Sequence, residues 1–239
     1  MRKFMRISVV ILIAAVAVSL WFFRHTPFVY SGVLEAVEVD VPSRLNDIVS
    51  NMYFEEGQSV REGQTLAKLD CKDTVLARDI AKKEFARAET LLKTSAGSKE
   101  NFDVKQNAYD QAALRESWCS IKSPISGKVL YKYYENGEFV NAGRKLYTVA
   151  DLSKIDAWVY VGHDVLAKIK TGAKVQGSLP ETGQKFEGTV FTVNDEAEFT
   201  PKNVQTRKER TRLVYGVKVR FANDAALTLK PGMDIDVNF

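Results

Sequence analysis

Few groups in this chain could carry out chemistry. The histidines are His25 and His163, and the cysteines are Cys71 and Cys119. Neither histidine stands in a serine–histidine–acid or cysteine–histidine arrangement, the pattern in which a base activates a nucleophile. Glu35, Asp40 and Asp47 read as exposed strand and loop charges rather than as a general acid–base pair. Two histidines, two cysteines and scattered Met52 and Met233 form no cluster with metal-ligand spacing. The sequence therefore reads as non-enzymatic, with no cofactor and no metal, and its work as binding.

The elements that would position a binding surface begin with the N-terminus. Among 239 residues, 45% are hydrophobic and 27% charged, so the chain is an ordinary folded protein of modest modules. Its formal charge of +4 is partly local, because Arg2, Lys3 and Arg6 precede an apolar run and Arg24 follows it; nucleic-acid binding has little support. The uncharged stretch from Ile7 to Phe23 spans roughly 25 Å as a helix, near the short limit for crossing a bilayer. The cationic start favours an N-in anchor over residues 1–25, with the body outside the cytoplasm. Ala15-Val16-Ala17 and Ala17-Val18-Ser19 keep a cleaved signal peptide open, although Trp21, Phe22 and Phe23 lengthen the run in favour of an anchor. Residues 26–38 read as a strand leading inward.

A half-motif then occurs twice. In residues 39–70 and 121–152, Gly57, Val60, Gly63 and Leu66 match Gly137, Val140, Gly143 and Leu146, and Pro42 matches Pro124 with a two-residue slip. Short β-rich runs broken by glycine suit strand-turn-strand units, so the halves, with bounds 39–70 and 119–152, should form one small β-sandwich.

Residues 71–118 interrupt the repeat. Ala77, Ala81, Phe85, Ala88 and Leu92 recur as one helix face, with Asp70 as N-cap, Asp73 in the first turn and Gly97 ending the helix. Ser98 caps a second helix, KENFDVKQNAYDQAALRES, whose Val104, Ala108 and Ala112 should pack on the first as an antiparallel pair projecting ~35 Å. Such a hairpin brings Cys71 and Cys119 together at its base, and an oxidising compartment favours a disulfide; the alternative is two buried thiols.

Residues 153–239 offer a strand at 155–162, then a helix with Val165 and Ile169 ending at Gly172. Strands at KVQGSLPE, KFEGTVFTVN, RLVYGVKVRF and MDIDVNF follow. Short strands without long crossover helices argue for a compact β-barrel. The basic run 201–212, with Lys202, Arg207, Lys208, Arg210 and Arg212, either contacts lipid headgroups or an exporter or is simply solvated.

The repeat resembles the biotinyl/lipoyl fold, whose halves normally meet at a tight turn bearing a modified lysine. Here the hairpin fills that place, with Lys68 and Lys72 at its root, which argues against a swinging-arm carrier. The whole order is similar to the HlyD-like periplasmic adaptors, also called membrane-fusion proteins: anchor, split lipoyl-like sandwich, helical hairpin, β-barrel. The expected fold class is α+β, mainly β. Arg87, Leu91 and Ser98 fit the Arg-x3-Leu-x6-Ser pattern by which such adaptors meet TolC-like outer-membrane channels, while Asp103 and Tyr109 lie in the segment resembling the second tip helix. Arginine supplies a planar donor fork, leucine an apolar knob and serine a small polar group at the turn. Without a partner, the three would be a solvated residue, a seam residue and a cap.

The resemblance implies an inner-membrane exporter and a TolC-like channel as partners, and a homo-oligomer, six copies by family likeness. The end of the sequence at Phe239, directly after the barrel, and the likeness of Glu198–Phe221 to adaptors of ABC-type permeases favour an ABC-type exporter over an RND pump. A structural envelope protein that uses the hairpin for self-association is the remaining alternative.

Overall fold

The computed structural model describes residues 29–199 and 213–239. The expected anchor at 1–25 and the run containing Lys202, Arg207, Lys208, Arg210 and Arg212 lie outside the described residues. Among those described, no helix is long and apolar enough to cross a membrane. The chain divides into two compact units, one of Ala36–Lys154 with Asp224–Thr228, the other of Ile155–Asn223 and Leu229–Phe239 with the strand leading up to Glu35. Strands β1 (Tyr30–Pro42) and β8 (Lys145–Val161) run through both.

The first unit contains β2 (Asp47–Met52), β3 (Ser59–Val60), β4 (Thr65–Leu69), β5 (Ser120–Lys122), β6 (Gly127–Lys132) and β7 (Phe139–Val140). Helices α1 (Lys72–Lys93) and α2 (Lys99–Ser117) stand between β4 and β5. β2 pairs antiparallel with β4 and β7, and β4 with β5, giving a sheet in the order β5-β4-β2-β7; β6 joins β3 and β8. Gly57, Gly63, Gly137 and Gly143 all take left-handed backbone angles, φ 84°, 76°, 91° and 85°, which a side chain would strain. These turns put the two halves in the same geometry. The amide of Gly63 donates to Ser123 O and that of Gly143 to Ser43 O; Gly57 donates to Val129 O and Gly137 to Val49 O, all at 2.8 Å.

The two-fold likeness reaches the side chains. Ser43 and Ser123 donate their hydroxyls to the carbonyls of Leu45 and Ile125, 2.7 Å each. Asn136 accepts from Met52 N as Glu56 accepts from Lys132 N, and Asn46 from Ala142 N as Ser126 from Glu62 N. The serines, not the prolines, are therefore the equivalent positions; Pro42 precedes Ser43 whereas Pro124 follows Ser123. Val49, Val60, Leu66 and Leu69 meet Val129, Val140, Leu146 and Val149 in one shared core. Tyr147 is wholly buried there and donates its hydroxyl to Phe54 O at 3.0 Å, so its polar end is satisfied.

In the second unit, α3 (His163–Leu166), β9 (Lys174–Ser178), β10 (Lys185–Val193), β11 (Glu198–Phe199), β12 (Leu213–Ala222) and β13 (Asp234–Asn238) follow β8. β1 pairs with β13, β13 with β9, β9 with β10 and β10 with β12; β12 also pairs with β8, which lies beside β1, and this closes a small barrel. Period-two alternation buries Phe186, Val190, Val217, Val219, Phe221, Ile235 and Val237. Gly177 and Gly188 make room for the Phe221 ring, which a Cβ at either position would meet at 2.6 or 2.5 Å. The near-buried carboxylate of Asp156 is held by Arg220 through two bonds of 2.7 and 2.9 Å.

Two expectations are corrected in this part. The helix expected through Ile169 is one turn, His163–Leu166, because an isolated short apolar repeat does not sustain a helix and Lys174 already belongs to β9. The strand expected at 155–162 is the second part of one continuous β8, Lys145–Val161, since no glycine or proline breaks it.

Candidate functional site

The hairpin rises from a cross-linked base. Cys71 and Cys119 are joined by a disulfide with Cα atoms 6.1 Å apart. Asp70 does not cap α1. Cys71 occupies the cap position in a left-handed conformation (φ 53°), and its amide is taken instead by Asp47 from β2, at 3.0 Å. Asp70 pairs with Lys72 at 2.8 Å. Just above, Arg78 bridges to Glu116 at 2.7 Å and ties the two helices.

The seam between the helices is aromatic. The Phe85 ring lies 5.4 Å from Phe102 and is stacked at 5.7 Å on Tyr109, each within the range of favourable ring pairs. Ala88 is the buried small residue that lets the helices approach. Lys105 reaches Glu84 at 2.7 Å, and this bond holds the Glu84 carboxyl below the usual carboxylate range, with the charges of Lys105 and then Arg87 adding to it. The face expected for α2 is rotated: Val104 is 56% exposed and Ala108 is exposed, and so is Ala77 on α1. Phe102 and Tyr109, seven residues apart, turn the helix because their larger apolar surface outweighs that of alanine and valine.

At the tip, α1 ends at Lys93 rather than at Gly97. Thr94 is its C-cap, Ser95 takes the left-handed turn (φ 56°), and the amides of Ala96 and Gly97 both donate to Leu91 O, at 2.9 and 3.0 Å. Gly97 is needed for closeness: a Cβ there would stand 3.0 Å from the Leu91 Cβ. Ser98 accepts from Asn101 N at 3.1 Å and so caps α2. Arg87 is exposed, and Leu91, one turn further on, is 38% exposed on the same outer side of α1. Ser98 lies across the turn with its hydroxyl engaged in the cap. Asp103 is exposed, whereas Tyr109 faces the seam.

Among the described residues, no group of three or more His, Cys, Asp and Glu side chains is placed to hold a metal ion. The tip presents a cation, Arg87, and an apolar side chain, Leu91, on a helix whose Thr90, Leu91 and Leu92 carbonyls accept hydrogen bonds from the turn. The aromatic seam and the Arg78–Glu116 bridge were missed from the sequence; the spacing of Phe102 and Tyr109 was the available signal for the seam.

Comparison with known proteins gives these features a setting. Residues 37–152 match the family model described as the RND MFP barrel-sandwich hybrid domain, MFP standing for membrane-fusion protein. A UPF0194 membrane protein of Citrobacter koseri is 26% identical over 197 residues, which cover 78% of this chain and 59% of the relative. One from Yersinia enterocolitica is 31% identical over 121 residues, 50% of this chain and 37% of its own length. The chain thus spans about three fifths of the first of these relatives. Among solved structures, a chimera of MacA and MexA containing the Pseudomonas aeruginosa MexA alpha-hairpin domain superposes with a TM-score of 0.68 at 22% identity, over 88% of this chain and 79% of the chimera. MacA from Actinobacillus actinomycetemcomitans gives 0.62 at 18% identity, over 88% and 78%. These structural likenesses show the fold, and over residues 37–152 the sandwich with its interrupting hairpin is similar to the barrel-sandwich hybrid domain of membrane-fusion proteins.

Proposed function

We propose that the chain is the periplasmic adaptor of a tripartite export system, held at the inner membrane by its N-terminal segment and linking an inner-membrane exporter to a TolC-like outer-membrane channel. The observation that carries this reading is the exposed pair Arg87 and Leu91 beside a tightly tied turn. An arginine fork and an apolar side chain on a rigid end form a compact anchor for a protein partner. The disulfide suits an oxidising compartment outside the cytoplasm. An exporter of the ABC class is proposed on the likeness of Glu198–Phe221 to adaptors of such permeases.

The adaptor acts as a homo-oligomer, six copies by family likeness. Its support is the outer surface of the hairpin: Leu76 and Ile80 on α1 are 60% and 51% exposed, and Leu114 on α2 is 56% exposed. A stripe of this kind is costly to leave in water and suits the flank of a neighbouring copy.

Photo-cross-linking residues placed singly along Thr90–Asn101, in envelopes of the native host, test the reading. Capture of a TolC-like channel from the tip, weakened by Arg87→Ala or Leu91→Ala at unchanged protein level, is the expected result. Capture from barrel positions identifies the exporter class. A tip that captures only other copies of the chain would make the hairpin an assembly element and overturn the adaptor reading.

A further inference from the structure

A groove of about 360 Å³ runs along the base of the hairpin, lined on one side by Val39, Asp40, Val41 and Pro42 of β1 and on the other by Ser120, Ile121 and Lys122 of β5. These are the corresponding strands of the two halves. β5 is the end strand of its sheet, and among the described residues no ladder joins it to β1. Cys119 O accepts from Leu69 N, and Ser123 N donates to Gln64 O. Alternation along β5 therefore turns the main-chain groups of Ser120 and Lys122 toward the open edge. We propose that this seam is a docking groove for an extended, acidic segment of a partner protein, taken up by strand addition.

Three observations point the same way. An open strand edge is a template for an added strand, and its free amides and carbonyls supply affinity to any extended chain. Trp118 Nε1, also at the groove, is shielded from solvent and meets no acceptor among the described residues, although a buried indole N–H ordinarily finds one. Because the N–H is closed to solvent in the free chain, a side-chain shift at Trp118 must accompany the arrival of a strand whose carbonyl or carboxylate supplies that acceptor. The charges select an acidic occupant. Asp40 is already neutralised by Lys145 at 2.6 Å, while Arg44, whose guanidinium lies 5.7 Å from the Trp118 ring centre, and Lys122 are exposed. Two cations thus face the groove, where a carboxylate side chain gains and a basic one loses. Pro42 and Pro124 also line the groove, and lacking an N–H they limit the stretch over which a strand can pair.

Panning the full chain against a displayed library of random linear peptides tests the proposal without any assumption about channel docking. The expected winners carry Asp or Glu alternating with apolar residues, and they slow amide hydrogen exchange at Ser120 and Lys122. Arg44→Glu or Lys122→Glu should weaken their binding about tenfold or more, as reversal of an interfacial charge does. Trp118→Phe, which keeps an aromatic ring and removes the donor, should weaken it further. Absence of any enriched peptide, enrichment of basic sequences, or binding indifferent to all three substitutions would overturn it. The tip cross-linking described above is unaffected by either outcome, so failure of one proposal is separable from failure of the other.

Discussion

In the sandwich, Val49, Leu66, Leu69, Val129, Val140, Leu146, Tyr147 and Val149 are all completely buried, whereas α1 buries Ala88 alone and α2 buries no residue. The sandwich stabilises itself by closing two equivalent halves on one core. The hairpin, with too little width to exclude water, is held by a disulfide, the inter-helix ion pairs Arg78–Glu116 and Glu84–Lys105, and the ring contacts of Phe85 with Phe102 and Tyr109. Both regions expose some apolar side chains, Ile48 and Phe139 on the sandwich among them, but only the sandwich also has a closed core; Leu76, Ile80, Leu91, Val104 and Leu114 of the hairpin are exposed with little buried beneath them.

The contrast is most directly broken at the hairpin base. Replacing both Cys71 and Cys119 by serine removes a cross-link at a sequence separation of 48, which on the loop-entropy account costs about 4 kcal/mol. Chemical denaturation of the double variant checks the size. Hydrogen exchange checks the place, since the loss should show first in α1 and α2. Uniform loss across the sandwich would mean that the two regions do not differ as described.

Leu66→Ala is the complementary change. It empties a fully buried site shared by both halves, and should cost about 3 kcal/mol with faster exchange in β2, β4, β6 and β8 alike. Phe85→Ala, by contrast, removes two ring contacts in a half-exposed seam, with a smaller loss of about 2 kcal/mol confined to the hairpin. If Phe85→Ala destabilises the sandwich as much as Leu66→Ala does, the hairpin is part of the core rather than a projection from it.

The same contrast governs how much could be read from the sequence. The repeat was legible because turns with left-handed angles call for glycine, and Gly57, Gly63, Gly137 and Gly143 stand at matching positions. The proline match misled, because edge prolines mark where pairing stops and need not be equivalent in the two halves. The span and cap of α2 were legible because Ser98 and the apolar spacing are local signals. Its packing face was not: counting valine and alanine as equal to Phe102 and Tyr109 ignored how much more surface a ring buries. The start of α1 could not be read locally at all, since its first free amide is satisfied by Asp47, which is near in space and distant in sequence. Arg87 and Leu91 were legible only as a pattern; their exposure depends on which face the aromatic seam leaves outside.

The smallest expected effect concerns a surface tie of the sandwich. Asp40 accepts from Thr148 Oγ1 at 2.7 Å and pairs with Lys145 at 2.6 Å. The hydrogen bond from Lys145, followed by that from Thr148, holds its carboxyl below the usual carboxylate range, and the same pairing raises the Lys145 ammonium. A carboxyl whose folded pKa is depressed contributes stability above its unfolded value, near pH ~3.9, and loses it as pH falls through the lower folded value. The raised lysine contributes below its unfolded value and loses that contribution as pH rises through its higher folded value. The difference in thermal midpoint between the parent chain and Asp40→Asn should therefore stay constant through the neutral range and close only in strong acid or strong alkali. The pair is open to solvent, so the difference should be small and shrink further with added salt. A gap that persists unchanged in strong acid would assign the effect of Asp40 to its hydrogen-bond geometry rather than its charge.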